Sequence, residues 1–498
     1  MSLQHEADLK NGAMYAACAL ISAVGQDPSI TYFHPSCIAF QKRLHLVILQ
    51  NHNKYGRVIR LGPSRLVFNT ATALRELNSE LRWNDIYLND RITKSDAYLA
   101  AASQSIFNVF TALDNDMHRQ KRKRVSQVTS ERAMRSFEPT MAEQIDIYLE
   151  QILTSSKNSE PVNMTERSSR LSLDIVGQLA FGSDLEMQKK EANRFIVKGM
   201  QFRDYRGNIY MHYPILRKVS IDAIFDWVFY EVREKFFRLL ESMIKARAKL
   251  GRHAKADFYS DVAGEMGTDT SIKSPRSGEL SAEAWSFLTA VATRKCYRRL
   301  EGEIRSTFSS AADIKGGPKL ASCTYLRACI DEALRMSPPS SITLWRVQDP
   351  KDKEPLVIDC HAIPRGITFG VNTYALHYNE AYFPEPFTFR PERWLDEPGN
   401  QEARKRAALE GFAAFSIGAR SCAGKAMAYL GLSFVPAKTL WLFDFETAPG
   451  KLGKVGGGTP GATDGRDKPG EFQLYDIFTS QHHGPYLVFR AREDPAKV

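Results

Sequence analysis

The chain has 498 residues, of which 43% are hydrophobic and 11% aromatic, a composition that excludes disordered and fibrous proteins. Its 67 basic and 57 acidic residues leave a net charge of +10, which suits an acidic partner protein, an anionic membrane surface or nucleic acid alike. The seven cysteines are odd in number and form no CxxC pair, so we expect neither a disulfide framework nor a structural zinc site.

An apolar stretch near the N-terminus runs from about Ala13 to Val24. As an α-helix its twelve residues would cover about 18 Å, well short of the roughly 30 Å hydrocarbon core of a bilayer. The stretch is therefore a poor membrane span, and it suits an interfacial segment, the remnant of an anchor or an ordinary buried helix. We predict a separate N-terminal segment at residues 1–35, a weak or degenerate anchor, and one large domain at residues 36–498.

Two strand-like runs, 57–61 and 65–68, flank a Gly-Pro-Ser turn and predict a β-hairpin. The chain that follows is mainly helical in pattern, with apolar residues at three- and four-residue spacing in 141–153 and 221–250.

A polar surface connection is predicted at 251–280, after which Ser281 has the chemistry of a helix N-cap. Beyond Pro338 the chain has short strand-like runs such as 341–347. Residues 449–470 hold eight glycines and three prolines, which predicts a loop. Together these patterns predict a mainly α protein with small β-sheets.

The segment from Phe415 to Gly424 places a cysteine, Cys422, between two glycines and directly before a helix. Gly418 and Gly424 permit tight turns and a close approach to a flat ligand. A cysteine at a helix N-terminus favours thiolate over thiol. Phe415 would shield the sulfur from water, and Arg420 would pair with a carboxylate on the cofactor. For a cysteine considered alone, a buried structural residue in a glycine-rich turn would be the better interpretation.

These ten residues resemble FxxGxRxCxG, the haem-binding loop of the cytochrome P450 family. The resemblance implies the cytochrome P450 fold, with a single large haem domain at residues 36–498. It also implies haem b as the cofactor and Cys422 as the axial ligand of its iron, with Phe415, Arg420 and Gly424 in the loop around the cofactor.

Two further motifs precede this loop in the order that the family requires. Glu332 and Arg335 stand in a sequence similar to the ExxR element, and Arg393 lies in FRPERW, which is similar to the PERW segment. The spacing i, i+3 puts Glu332 and Arg335 on one helix face. An ExxR sequence alone indicates no particular function. Because the three motifs follow one another in the order of the family, the resemblance implies a buried ion network of Glu332, Arg335 and Arg393.

A basic segment, HRQKR, resembles the W/HxxxR pattern of the family and contains His118 and Arg122. The spacing i, i+4 puts both side chains on one helix face. The resemblance implies that they bind the haem propionates together with Arg346 and Arg420. Without the other motifs, a solvated basic helix or a nucleic-acid patch would be the better interpretation; with them, no nucleic-acid partner is expected.

The resemblance implies a monooxygenase that takes electrons from NADPH–cytochrome P450 reductase, with Lys121 and Lys123 facing this partner. The stretches IPRG and FPEPF look most like those of fungal secondary-metabolism members. The substrate would be a small hydrophobic intermediate, and the location the cytosolic face of the endoplasmic reticulum membrane. Family analogy places the substrate pocket in four segments and suggests six lining residues: 95–112, 195–215, 338–346 and 475–480, with Phe107, Phe110, Phe202, Tyr205, Ile342 and Phe478.

One departure concerns the distal helix, the I helix, on which family members carry [AG]Gx[DE]T for proton delivery. The nearest sequence here is TAVAT, in which Thr293 stands for the alcohol and Ala292 occupies the place of the acid. The helix from Ser281 is predicted to be truncated, either by a mis-spliced gene model or by genuine decay. Two alternatives therefore stand beside the monooxygenase: a haem-thiolate isomerase or dehydratase that does not activate O₂, and a non-catalytic haem-binding relic.

Overall fold

Amphipathic runs of the sequence fold as helices around a common interior, in a computed structural model that describes residues 38–75, 85–101, 107–212, 222–250 and 294–492. The α-helices in these ranges are α1 (Leu44–Tyr55), α2 (Ala71–Leu74), α3 (Asn115–Val128), α4 (Glu131–Lys157), α5 (Met164–Phe181), α6 (Phe195–His212), α7 (Asp222–Lys249), α8 (Arg294–Thr307), α9 (Pro318–Ala321), α10 (Thr324–Met336), α11 (Thr373–His377), α12 (Gln401–Lys405) and α13 (Lys425–Leu442).

Short strands form four small sheets beside these helices. The strands are β1 (Val58–Gly62), β2 (Arg65–Phe68), β3 (Ile92–Lys94), β4 (Val162–Asn163), β5 (Arg346–Gln348), β6 (Leu356–Ile358), β7 (His361–Ile363), β8 (Thr368–Val371), β9 (Phe443–Thr447), β10 (Tyr475–Ile477), β11 (Thr479–Gln481) and β12 (Tyr486–Ala491). The largest sheet has the order β1-β2-β8-β5-β3, in which β2 and β8 are parallel and the other pairs antiparallel. The mainly α architecture with small sheets is thus confirmed.

Several predicted elements are found where the sequence pattern placed them. The antiparallel pair of β1 and β2 is the predicted hairpin. The helical run 141–153 falls in α4, and α7 covers residues 222–249 of the run 221–250. The loop at 449–470 contains no helix longer than the short turn Leu452–Lys454.

The strand expected at 341–347 is mostly absent, since β5 begins only at Arg346. The reason lies in side-chain hydrogen bonds that replace those of a regular ladder. The Asn372 amide Nδ2 donates to the Ser341 carbonyl over 2.9 Å, and Thr343 makes a single isolated bridge to Asn372. The segment before β5 is therefore irregular, which lets it line a site instead of joining a sheet.

Helix α10 carries two of the predicted site residues and lies in the largest buried cluster, among α4, α5, α8 and α13. The side chain of its N-cap residue, Cys323, makes no capping hydrogen bond to the helix. Instead, the Glu303 carboxylate of α8 accepts from the backbone N–H groups of Tyr325 and Leu326, both over 2.8 Å. A carboxylate there satisfies exposed donors and complements the helix dipole, which fixes the position of α10.

Some expectations fall on residues that the structure does not describe. The N-terminal segment 1–35, the surface connection 251–280, and the distal helix from Ser281 to Thr293 lie outside the described residues. Among the helices that are described, none has both the length and the hydropathy needed to cross a bilayer.

Candidate functional site

The loop around Cys422 is a compact turn held by backbone hydrogen bonds. The Cys422 N–H donates to the Phe415 carbonyl over 2.8 Å, and the Ser421 N–H donates to the Gly418 carbonyl over 3.0 Å. Gly418 has a φ of 73°, and a Cβ there would overlap the Tyr87 carbonyl oxygen. Only glycine suits this position, because its backbone is left-handed and pressed against a neighbouring chain segment.

The surroundings of the Cys422 sulfur combine an aromatic wall with a nearby cation. Phe415 is buried, and its ring packs against Tyr429 with centroids 5.1 Å apart. Burial lowers the pKa of Arg122, while the charge of Cys422 acts on it in the opposite direction. The guanidinium is therefore close enough to favour an anionic sulfur. Gly424 leaves space beside the sulfur, since an added Cβ would lie 3.9 Å from Sγ.

Four cations surround His118 on one side of this loop: Lys94, Arg122, Arg346 and Arg420. His118 is 6% exposed, and burial together with these positive charges lowers its pKa to about 3. The Arg346 guanidinium donates to the Tyr98 hydroxyl over 3.2 Å and to the Trp345 carbonyl over 3.0 Å. The Arg420 guanidinium reaches the start of α3, where it donates to the Ala112 and Leu113 carbonyls over 2.6 and 2.8 Å. We call these five residues the cationic cluster.

Three guanidinium groups of the cationic cluster have no ion-pair partner among the described residues. Within the described parts of the chain, the guanidinium groups of Arg122, Arg346 and Arg420 bond to neutral oxygens and form no ion pair. Burial and the charge of Arg346 lower the pKa of Arg420 to about 10. Partly buried cations are stable when they are paired, and two carboxylates close to a thiolate ligand would pair them. The residues present therefore fit a haem with two propionates.

The three residues of the ExxR and PERW motifs meet in the interior. The Glu332 carboxylate accepts from Arg335 Nε and Nη2 over 2.9 and 3.0 Å and from Arg393 Nε over 3.1 Å. The Trp394 indole and the Arg390 backbone N–H also donate to it, both over 2.9 Å. Every lone-pair direction of this buried carboxylate is thus used, which is the condition for a stable buried charge.

His377 joins this network to the cysteine loop, and the sequence reasoning missed it. Its Nδ1 lies 2.9 Å from the Arg335 carbonyl, and its Nε2 accepts from the Ala413 N–H over 3.0 Å. The Arg335 Nη1 donates to the His377 carbonyl over 2.8 Å. The available signal was a histidine inside the apolar run TYALHY, which predicts a buried polar residue with a structural partner.

Because several histidines are buried, we expect the stability of the protein to fall in acid. Burial lowers the pKa of His377 to about 3 and that of His482 to about 4. The unfolded chain binds protons below about pH 6.5, so stability is complete above that pH and falls toward the folded pKa values. Each residue is expected to contribute up to about 1.4 kcal/mol per pH unit.

The unfolding temperature between pH 7.5 and 5 measures this effect. His377→Gln should be less stable than the parent at neutral pH but should have a flatter profile. His361 is exposed, and His361→Gln should follow the parent at every pH. A parent profile that is flat over this range would contradict the assignment.

Five of the six candidate pocket residues divide into two groups, and Phe107 is half-buried and belongs to neither. Phe110, Ile342 and Phe478 share one buried cluster, in which the rings of Phe110 and Phe478 lie 5.4 Å apart. Phe202 and Tyr205 pack instead in a separate cluster on α6. The structure therefore brings Phe110, Ile342 and Phe478 together, and places the two aromatic residues from the middle of α6 in a different cluster.

Comparison with known proteins places the chain in a family. The sequence profile described as Cytochrome P450 matches residues 28–293 and 280–454. A cytochrome P450 monooxygenase of Alternaria alternata, AKT7, is 31% identical over 488 residues, which cover 93% of this chain and 90% of that protein. A second, apf7 of Gibberella fujikuroi, is 32% identical over 504 residues, with 90% and 89% covered.

A solved structure supports the same assignment at the level of the fold. The crystal structure of a cytochrome P450, CYP102L1, superposes with a TM-score of 0.68 at 16% identity and covers 89% of this chain and 97% of that chain. The family implies haem with a cysteine thiolate on its iron. The chain belongs to the cytochrome P450 family, whose members are haem-thiolate oxygenases, and its relatives are named as monooxygenases.

Proposed function

We propose that this chain is a monooxygenase of fungal secondary metabolism that oxidises a small hydrophobic intermediate, with Cys422 as the axial ligand of haem b. The observation that carries the proposal is the group of three guanidiniums beside the cysteine loop, those of Arg122, Arg346 and Arg420, which form no ion pair among the described residues. When bound, the haem would supply activation of dioxygen and transfer of an oxygen atom to a C–H bond.

The chain's own residues would hold and orient this group. His118, Arg122, Arg346 and Arg420 would pair with its two carboxylates, and Phe415 would exclude water from the sulfur. Glu332, Arg335 and Arg393 touch no cofactor atom in this scheme. They keep α10 and the FRPERW segment together, and they act as positioning residues.

The proposed electron donor is an NADPH–cytochrome P450 reductase docked on the outer face of α3. Lys123 is exposed there, Lys121 is half-buried, and Arg119 is exposed beside them. A basic face of this kind attracts an acidic partner and speeds its association. The family suggests that both proteins meet on the cytosolic face of the endoplasmic reticulum membrane.

Proton delivery in the proposed activity would depend on the distal helix. Thr293 would be the alcohol of the relay, and Ala292 cannot replace an acid. The profile of the family matches in two pieces that overlap at residues 280–293, which supports a stretch missing from the distal helix. Sequencing the transcript around codons 285–297 tests the origin of this gap, since a recovered acid–threonine pair would identify a gene-model error.

The activity itself is tested with the purified protein, a fungal reductase, NADPH and isotopically labelled dioxygen. We expect a panel of terpenoid and polyketide compounds to yield a product with one labelled oxygen atom, formed only with NADPH. A product of unchanged oxygen content formed without NADPH would favour the isomerase or dehydratase. Haem binding without turnover of any compound, in a chain whose transcript also lacks the acid, would favour the relic.

A further inference from the structure

Helix α6 turns a stripe of polar residues toward the interior, where an amphipathic helix usually places apolar ones. Asp204, Asn208 and His212 follow one another at four-residue spacing and are 8%, 0% and 1% exposed. The Thr479 hydroxyl donates to Asp204 Oδ2 over 2.9 Å, and Asn208 Nδ2 donates to the Asp476 carbonyl over 3.2 Å. The first two residues of the stripe thus hold α6 against the hairpin of β10 and β11.

The last residue of the stripe has no such partner. Across the described residues, neither ring nitrogen of His212 takes part in a hydrogen bond, and the Trp345 indole N–H has no acceptor. Both side chains are buried. Their rings are in edge contact with centroids 6.3 Å apart. Buried polar groups are almost always hydrogen-bonded, so two unpartnered groups side by side require an explanation.

Arg65 holds this arrangement in place from β2. Its guanidinium donates to the carbonyls of Met211 and His212 over 2.8 and 3.4 Å, which satisfies the end of α6. The same group lies 5.1 Å from the centre of the Trp345 ring. Burial and the charge of Arg65 lower the pKa of His212 to about 3, so its imidazole is neutral and has one donor and one acceptor.

The unpartnered pair lies next to the candidate pocket. Trp345 directly precedes Arg346 of the cationic cluster. Trp345 and Met211 belong to the same buried cluster as Ile342 and Phe478, two of the candidate lining residues. The pair therefore contacts the buried cluster that contains candidate residues of the substrate pocket, and Trp345 is adjacent in sequence to a residue proposed to hold the haem.

We propose that His212 and Trp345 form a recognition pair for one oxygen atom, a hydroxyl or a carbonyl, on an otherwise hydrophobic substrate. The inference rests on the proposed function, because it names a feature of that enzyme's substrate. A hydroxyl would accept from the indole N–H and donate to the imidazole; a carbonyl would accept from both rings. The rings touch in the free protein, so the oxygen would part them and supply the missing hydrogen bonds.

A stability comparison tests the unpartnered state without relying on activity or on haem chemistry. His212→Phe removes two buried nitrogens that lack partners, so it should raise the unfolding temperature, by roughly 1–3 °C. His482 is the matched control, since it is equally buried but its nitrogens lie 3.3 Å from the Ser337 hydroxyl and the Gln473 carbonyl. His482→Phe should lower the unfolding temperature. A lower temperature for His212→Phe would overturn the proposal.

A binding comparison tests recognition with 2-decalol and decalin as a matched pair of probes, titrated by the shift of the Soret band. In the holoprotein, His212→Phe and Trp345→Phe should each weaken binding of the alcohol about tenfold, a loss of about 1.4 kcal/mol, and leave the hydrocarbon unchanged. Equal ratios of the two dissociation constants in parent and variants would overturn the proposal. If the parent protein itself shows no thiolate spectrum, the proposed function is refuted. The stability comparison does not depend on haem, so its result would still be valid.

Discussion

Cys422→Ala is expected to abolish the red-shifted Soret band that thiolate-ligated haem shows in reduced, CO-treated protein. The sulfur is the only atom of this loop that can donate charge to iron as a thiolate, and alanine leaves no ligand in its place. The cationic cluster would be unchanged, so residual haem with a normal, unshifted band is compatible with the variant. The measurement is the reduced CO difference spectrum at equal haem content.

The other described cysteines supply the control. Burial raises the pKa of Cys323, and it raises that of Cys329 well above the usual range, so neither thiol is prepared to ionise. Cys360 is exposed on the turn between β6 and β7, far along the chain from the loop. Cys360→Ala should keep the full band. A band that survives Cys422→Ala, or disappears in Cys360→Ala, would show that the ligand has been misassigned.

The cysteine loop was predictable because its residues are contiguous and each has a physical task that its type reveals. The glycine at 418 is an example, because a tight turn before a ligating cysteine favours a glycine, and its backbone is left-handed with a φ of 73°. The mainly α fold was predictable for a similar reason, since local periodicity determines helices such as α4 and α7.

Contacts between distant segments were not predictable in this way. His377 bonds to both Arg335 and Ala413, and nothing in its local sequence names these partners. Lys94 lies on β3, an edge strand of the largest sheet, and its charge acts on His118, which is distant in sequence. The segment before β5 lacks a regular strand for the same reason. Asn372, which is distant in sequence, makes the hydrogen bonds to this segment.

Loss of charge at Glu332 is expected to have the largest effect on stability among the site residues. Glu332→Ala would leave the Arg335 and Arg393 guanidiniums buried beside each other without their counter-ion. Removing one partner of a buried ion pair costs about 3–5 kcal/mol, which is a large share of the roughly 5–15 kcal/mol that holds a domain folded. The variant is therefore expected to accumulate poorly and to contain little haem.

Glu332→Gln keeps the size of the side chain and tests the charge when the alanine variant fails to fold. We expect a lower urea midpoint than in the parent, with the fraction of bound haem falling in parallel. Glu131→Gln is the matched control, because Glu131 pairs with Arg135 at four-residue spacing but is 85% exposed. An exposed pair contributes little, so this variant should unfold with the parent.

The charge of Glu332 should also make the stability of the parent protein depend on pH in the acid range. Burial alone would raise the pKa of Glu332, but Arg335, Arg393 and the hydrogen bonds outweigh it and hold the pKa below the ordinary value of 4.5. The stabilisation is therefore complete above about pH 4.5 and is lost as the pH falls through the folded pKa. The difference in urea midpoint between the parent and Glu332→Gln should narrow below pH 4.5. A difference that stays constant with pH would contradict a stabilising charge at Glu332. An equal loss in Glu131→Gln would show that the effect is not specific to the buried network.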